Sequence, residues 1–126
     1  MLSEQPIVAF LPITNPHVAK DFYGGVLGLA IVEDTPFAVV MRTPHAELRL
    51  SVVEHVQPQP FTVLGWQVDA LDATIDALTA KGVRLLRFEG MSQDDLGVWT
   101  SPSGARVAWF NDPDGNVLSL TALPSG

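Results

Sequence analysis

Charged and polar side chains alternate with leucines along one predicted strand. Glu47, Arg49 and Ser51 lie on one of its faces, and the leucines between them lie on the other. Arg49 could hold an anionic or carbonyl group of a ligand through its planar guanidinium, with Glu47 or Ser119 orienting it. An ion pair between Arg49 and a nearby carboxylate, or a face turned to solvent, explains the same pattern. The residues alone leave these alternatives open.

The three histidines do not form a pattern that is typical of catalysis or metal binding. His17 lies near the start of a predicted helix, His45 lies in a turn and His55 lies at a strand end. No two of them are spaced four residues apart on a helix. The segment 101–104, Ser-Pro-Ser-Gly, has neither a nucleophile elbow nor a partner histidine. Catalytic residues therefore stay unknown at this point.

Aromatic side chains are candidates for the walls of a ligand-binding cavity, because flat rings stack on flat ligands. The candidates are Phe10, Phe37, Trp99 and Trp109. A place in the hydrophobic core is the alternative for each of them. Trp66 is predicted to pack under the second helix.

The segment Asp112–Asn116 predicts a tight turn between two strands, because Gly115 accepts a positive φ there. The turn sets the register of the last strand. Leu118 and Leu120 then share one face, which places Ser119 on the other.

The composition indicates a folded and acidic globule. Of 126 residues, 47% are hydrophobic and 17% charged, and 14 acidic residues against 7 basic ones give a net charge of −7. Nucleic-acid binding is not expected, because it requires an excess of lysine and arginine. The absence of cysteine excludes disulfides and thiolate sites. We expect a cytoplasmic protein with no membrane segment, because no long apolar run and no basic N-terminal region are present.

The order of predicted elements repeats once along the chain. A single domain of residues 1–126 is predicted, with module one at 1–56, a Pro-rich linker at 57–60 and module two at 61–126. The first module is predicted to contain a strand, a helix and three strands, at residues 7–13, 16–27, 29–32, 37–42 and 47–53. The second module has a strand at 61–68, a helix at 69–80, a strand at 83–88, and further strands at 97–100, 106–110 and 117–123.

Three motifs resemble those of the vicinal oxygen chelate superfamily, which includes glyoxalases, bleomycin resistance proteins and extradiol dioxygenases. They are Phe22–Leu29 (FYGGVLGL), Trp66–Asp72 (WQVDALD) and Asp112–Asn116 (DPDGN). The resemblance implies an α+β fold in which two βαβββ modules form an open, incomplete β-barrel with a cavity. It also implies a homodimer.

Metal-dependent members of this superfamily carry His, Glu or Gln at four inward positions. The motifs and the repeat place Val8, Arg49, Val63 and Ser119 at those positions. Valine has no metal-binding atom, and arginine is a fixed cation. The resemblance therefore implies neither a metal site nor a cofactor here.

The function predicted from these features is metal-independent binding of a small molecule in the cavity between modules, with sequestration of a drug or metabolite as one such role. Ligand contacts are expected from Val8, Phe10, Phe37, Glu47, Arg49, Val63, Trp99, Trp109 and Ser119. The alternative is a metal-dependent lyase, isomerase or dioxygenase of the same superfamily, with ligands at other positions. A third possibility is a structural or regulatory domain whose cavity is filled by its own side chains.

Overall fold

The computed structural model describes residues 1 to 124, so the last two residues of the predicted second module, 125 and 126, lie outside the described residues. The chain forms two compact units, Met1–Gln57 and Pro58–Gly126. Each unit contains one four-stranded sheet. The predicted α+β class, with the order β, α, β, β, β in each half, is confirmed.

The first unit is built on a mixed sheet with strand order β1-β4-β3-β2. Its parts are β1 (Val8–Ile13), α1 (Pro16–Lys20), a π-helix (Asp21–Val26), β2 (Ala30–Asp34), β3 (Ala38–Arg42) and β4 (Glu47–Val52). The edge strand β1 pairs parallel with β4, and the other pairs are antiparallel. One face of this sheet is buried, through Leu11, Ile13, Leu48, Leu50 and Met41.

The first helix differs from the prediction of one regular helix over 16–27. Asn15 caps α1 by accepting hydrogen bonds from the backbone N–H groups of His17 and Val18. After Lys20 the helix widens, and the N–H of Leu27 donates to the carbonyl of Phe22, five residues earlier, at 2.9 Å. A positive φ of 78° at Gly28 then ends it.

One four-residue motif closes both hairpins of the first sheet. Thr35 and Thr43 each begin a Thr-Pro-X-Ala turn, and each hydroxyl oxygen accepts hydrogen bonds from the two backbone N–H groups that follow the proline. Inside each turn the threonine hydroxyl thus takes the place of the backbone carbonyl that a paired strand would offer to these N–H groups. The second of these turns holds β3 and β4 in register and brings their charged ends together.

The second unit repeats the arrangement with strand order β5-β8-β7-β6. Its parts are β5 (Thr62–Gln67), α2 (Leu71–Ala80), β6 (Trp99–Thr100), β7 (Arg106–Asn111) and β8 (Val117–Ala122). The edge strand β5 pairs parallel with β8. The buried residues of this unit come from α2 and from one face of the sheet: Leu71, Ile75, Leu78, Ala108, Phe110, Leu118 and Leu120.

The strand predicted at 83–88 is wrong, and that predicted at 97–100 is shorter than expected. Gln93 explains the first difference. Its side-chain amide donates to the carbonyl of Leu86 at 2.9 Å and accepts from the N–H of Phe88 at 2.8 Å. The carbonyl of Leu86 and the N–H of Phe88 therefore bind the Gln93 side chain instead of a neighbouring strand. One strand-like bond remains in this segment, from the N–H of Leu86 to the Trp109 carbonyl at 2.7 Å.

Among the helices of residues 1 to 124, none has the length and hydrophobicity that a membrane span needs.

Candidate functional site

Strand alternation gives the first sheet a second face that carries polar and exposed residues. Glu47 and Arg49 lie on this face in β4, opposite the buried Leu48 and Leu50, as predicted. We call it the first open face and define it by Val8, Phe10, Arg42, Glu47 and Arg49. Register places Val8 beside Glu47 and Phe10 beside Arg49. Phe10 is 65% exposed there.

A cluster of three charged side chains lies at one end of the first open face. Arg42 donates from Nη2 to Oε1 of Glu47 at 2.9 Å, and Arg49 donates from Nε to Oε2 of the same carboxylate at 3.4 Å. The hydrogen bond from Arg42 is the main reason that the pKa of Glu47 lies below its ordinary value of 4.5. The bond from Arg49 acts in the same direction, while desolvation opposes both. We call these residues the Arg–Glu–Arg cluster.

Arg49 therefore takes part in the ion pair that the sequence left open, but the pair uses only its Nε. Within residues 1 to 124, its two terminal nitrogens donate to no protein atom. Its side chain is 42% exposed. Arg49 can thus remain paired with Glu47 and still bind a ligand.

A pocket of about 420 Å³ adjoins the Arg–Glu–Arg cluster. Its apolar wall comes from Ile7 and Val8, and its polar wall includes Arg42, His45 and Glu47. The rest of the lining is supplied by Pro6, Thr43, Pro44 and Ala46. We call this space the hairpin pocket, since the turn between β3 and β4 forms one side of it.

The second sheet has a corresponding face around Ser119. Ser119 pairs with Gly65 on one side and with Trp109 on the other. Trp99 shares this face, because it pairs with Val107, two residues from Trp109. We call it the second open face and define it by Thr62, Gly65, Trp99, Trp109 and Ser119.

Ser119 restricts which residue can stand at position 65. A Cβ atom there would overlap Oγ of Ser119, so this oxygen would have to move. Ser119 is only 8% exposed, so it is buried rather than open to a ligand.

The ring of Trp109 is held from three sides. Phe88 meets it edge-on, with centroids 5.3 Å apart, and Trp99 lies at 6.3 Å. The indole Nε1 donates to Oγ1 of Thr62 at 2.9 Å. The ring therefore has a defined orientation on the second open face.

A β-bulge explains how Thr62 reaches this face. Thr62 pairs with Val117 and Leu64 pairs with Leu118, which leaves Val63 without a partner in the ladder. The extra residue reverses the alternation at Thr62. Sequence reasoning missed this role, because a bulge has no clear signal in the residues of β5.

The structure does not bring all the predicted contact residues together. Phe37 stands just before β3 and is 80% exposed. The alternation of side chains along β3 puts it on the other face of the first sheet from Arg49. Arg42, which the sequence analysis missed, joins the cluster. The sequence holds one signal for it, the Thr43–Ala46 turn that Arg42 and Glu47 flank, but strand pairing decides that the two residues meet.

The positions assigned to a metal do not fit one. The strand pairing inside each sheet agrees with the sequence repeat. Phe10 pairs with Arg49 in the first sheet, and Gly65 pairs with Ser119 at the equivalent place in the second. Val8 and Val63 offer no donor atom, and Arg49 brings a positive charge. No group of three or more His, Cys, Asp or Glu residues suited to a metal occurs within residues 1 to 124.

The histidines do not complete such a site. His17 lies 3.6 Å from Asp21 on the exposed surface of the first helix. His45 lines the hairpin pocket, and His55 lies exposed beyond β4. The alternative pairing of Glu47 with His55 in a metal site finds no support in this arrangement.

Solved structures share this fold over nearly the whole chain. A glyoxalase/bleomycin resistance protein/dioxygenase superfamily member from Sphaerobacter thermophilus is 22% identical, with a TM-score of 0.75 over 97% of this chain and 99% of its own. Lactoylglutathione lyase from Agrobacterium tumefaciens is 16% identical, with a TM-score of 0.73 over 94% and 93%. TnmS3, an antibiotic binding protein from Streptomyces sp. CB03234, is 23% identical, with a TM-score of 0.69 over 98% and 99%. At these identities the likeness shows the fold alone.

No curated protein matches the sequence. The family model for the Glyoxalase/Bleomycin resistance protein/Dioxygenase superfamily does match it, over residues 7–120. The resemblance seen in the three sequence motifs is thus confirmed. The chain belongs to the glyoxalase/bleomycin resistance protein/dioxygenase superfamily.

Proposed function

We propose that this protein binds a small organic molecule without using a metal ion. The observation that carries the proposal is the set of residues at the superfamily's metal positions. Val8 and Val63 cannot coordinate a metal, Arg49 is a cation, and Ser119 is a buried hydroxyl beside Gly65. Neither the charge nor the donor atoms at these positions suit a divalent cation.

The open faces offer contacts that suit an organic ligand. The first open face presents the exposed ring of Phe10 next to the guanidinium of Arg49. The second presents Trp109 in a fixed orientation, with Trp99 beside it. We propose an apolar or aromatic ligand that stacks on the ring of Phe10 and is anchored through its polar group by Arg49.

Sequestration of a drug or metabolite is the role we favour. A protein with this fold, TnmS3, is described as antibiotic binding, and binding alone requires no catalytic residue. Another, a lactoylglutathione lyase, is an enzyme, so the fold itself does not decide between binding and catalysis. The metal positions favour binding in this chain.

Metal analysis is the first test. The protein is purified without an affinity tag or chelator, its metal content is measured, and Mn²⁺, Fe²⁺, Ni²⁺ and Zn²⁺ are titrated into it by calorimetry. We expect no stoichiometric metal and no tight binding. A stoichiometric metal would replace the proposal with the alternative, a lyase, isomerase or dioxygenase that uses other ligands.

Ligand screening is the second test. A library of drugs and aromatic metabolites is screened by thermal shift, and binders are confirmed by calorimetry. We expect Arg49→Gln to weaken confirmed binders about tenfold, because it removes a charge-assisted contact. Arg106→Gln serves as the matched control, since Arg106 pairs with Asp72 and lies outside both open faces. A library without binders would contradict the proposal.

We also propose that the protein works as a homodimer in the cytoplasm. The superfamily resemblance supports the dimer, and the lack of cysteine is compatible with the compartment. Light scattering coupled to size-exclusion chromatography gives the mass directly. A particle of twice the 13.6 kDa chain mass is expected, and a monomer at micromolar concentration would contradict it.

A further inference from the structure

The Arg–Glu–Arg cluster has the opposite sign of charge from the protein as a whole. The chain carries a net charge of −7. In the cluster, by contrast, two guanidiniums share one carboxylate, which leaves one positive charge without a counterion among Arg42, Glu47 and Arg49. Glu47 is ionised at neutral pH, because its pKa lies below the ordinary value of 4.5, which is itself well under 7. A local positive charge in an acidic protein selects ligands by charge.

Hydrogen-bond donors remain available in this cluster. Glu47 uses both of its oxygens, one for each arginine. Arg42 donates to it from Nη2 alone and Arg49 from Nε alone, so each guanidinium keeps further N–H groups that donate to no protein atom within residues 1 to 124. Arginine presents these groups in a planar fork that matches a carboxylate. The cluster can therefore accept a second anion.

The hairpin pocket provides the space beside these donors. Its volume of about 420 Å³ suits a small organic molecule. Ile7 and Val8 form an apolar wall, while Arg42 and Glu47 lie on its polar side. A molecule with an acidic end and an apolar body matches both walls.

We infer that the ligand of this protein is an organic acid with one negative charge, whose acidic group binds to Arg42 and Arg49 while its apolar body contacts Ile7 and Val8 in the hairpin pocket. The inference rests on the proposed function and narrows its ligand class. A cationic ligand would be repelled by the two guanidiniums.

Matched pairs of acid and amide test the charge class. Naphthoate and naphthamide, and cinnamate and cinnamamide, differ in charge but hardly in shape. Their affinities for the 126-residue chain are measured by calorimetry, with the ligand-induced shift in melting temperature as a second readout. We expect each acid to bind at least about tenfold more tightly than its amide. Equal affinities for acid and amide would overturn the inference and leave the proposed function standing.

Three variants test the residues by the sign of their effects. Arg42→Gln and Arg49→Gln are expected to weaken acid binding about tenfold and to leave amide binding unchanged. Glu47→Gln is expected to strengthen acid binding, because it removes the carboxylate that competes for both guanidiniums. General damage to the site would weaken binding in all three variants, so a loss in Glu47→Gln would overturn the inference.

The control and the remaining outcome separate the two proposals. Arg106→Gln removes the same charge from the second unit and is expected to leave the ratio of acid to amide affinity unchanged. A similar fall in this variant would mean that net charge, and not the cluster, selects the ligand, and would overturn the inference. If neither member of any pair binds at millimolar concentration, the proposed function fails for aromatic ligands and the inference fails with it.

Discussion

Glu47 makes the stability of the first unit depend on pH. Its pKa in the folded protein lies below its ordinary value of 4.5, because Arg42 and Arg49 bind its charged form. A carboxylate of this kind contributes stability above its unfolded-state pKa and loses that contribution as the pH falls through its folded-state pKa. The contribution is therefore fully present at neutral pH, and stability changes with pH through Glu47 only under acid conditions.

We predict that Glu47→Gln lowers the melting temperature at neutral pH, and that the difference from the wild type shrinks as the pH falls from about 6 to about 3. Protonation removes from the wild type the same charge that the substitution removes. Melting curves over this range provide the measurement. A difference that stays constant with pH would contradict the assignment of the pKa shift to Glu47.

The contact between Gly65 and Ser119 can be tested by pairing two substitutions. Gly65→Ala should destabilise the protein by about 1 to 3 kcal/mol, because the new Cβ overlaps Oγ of Ser119. In a Ser119→Ala background the same substitution should cost much less, since the overlapping atom is gone. Urea denaturation of the four proteins gives the coupling free energy. Additive effects would show that Oγ is not the cause.

Among the elements, the turn before β8 has the most direct sequence origin. Asp112 is 4% exposed, and its Oδ1 accepts from the backbone N–H groups of Asp114 and Asn116 at 2.9 and 2.8 Å. Its Oδ2 accepts from the side-chain amide of Asn116 at 2.8 Å. The turn sets which residues of β8 face the core, so its side-chain bonds also position Ser119.

We predict that Asp112→Ala lowers the free energy of unfolding by about 2 to 4 kcal/mol, because buried donors lose their acceptor. Asp112→Asn should cost less, since one oxygen remains for the backbone groups. Asp76→Asn on the exposed side of α2 is the control and should be nearly neutral. Denaturant titrations compare the three variants. Similar losses for alanine and asparagine would contradict this account of the turn.

For the molecule as a whole, burial predicts a gradient of local stability within each sheet. The central strands β3, β4, β7 and β8 have partners on both sides, whereas β1, β2, β5 and β6 are edges. All five residues of β2 are exposed. Edge strands with few buried side chains open more readily than central ones.

Amide hydrogen exchange should therefore protect β4 and β8 most strongly in their respective units. We expect exchange in β2 to be about a hundredfold faster or more than in β4, since each factor of ten corresponds to about 1.4 kcal/mol of opening free energy. Mass spectrometry of peptides from each strand measures it. Uniform protection across a sheet would show that it opens only by global unfolding.

The sequence by itself determined the fold class, the repeated order of elements and the faces of β4 and β8. These follow from local chemistry, namely the alternation around Arg49 and the turn at Asp112–Asn116. The strand that the sequence predicts at 83–88 does not form, because the side chain of Gln93 makes hydrogen bonds there that a neighbouring strand would otherwise make. Such competition depends on side-chain placement that periodicity does not contain.

Only the tertiary structure decided how the candidate site is assembled. Pairing of β3 with β4 brings Arg42 onto Glu47, and the bulge in β5 carries Thr62 to the indole of Trp109. Both contacts depend on strand register, which places residues far apart in sequence, or across a turn, at hydrogen-bond distance. Residue types and local periodicity determine which face a side chain takes, whereas pairing between strands determines which partner it meets there.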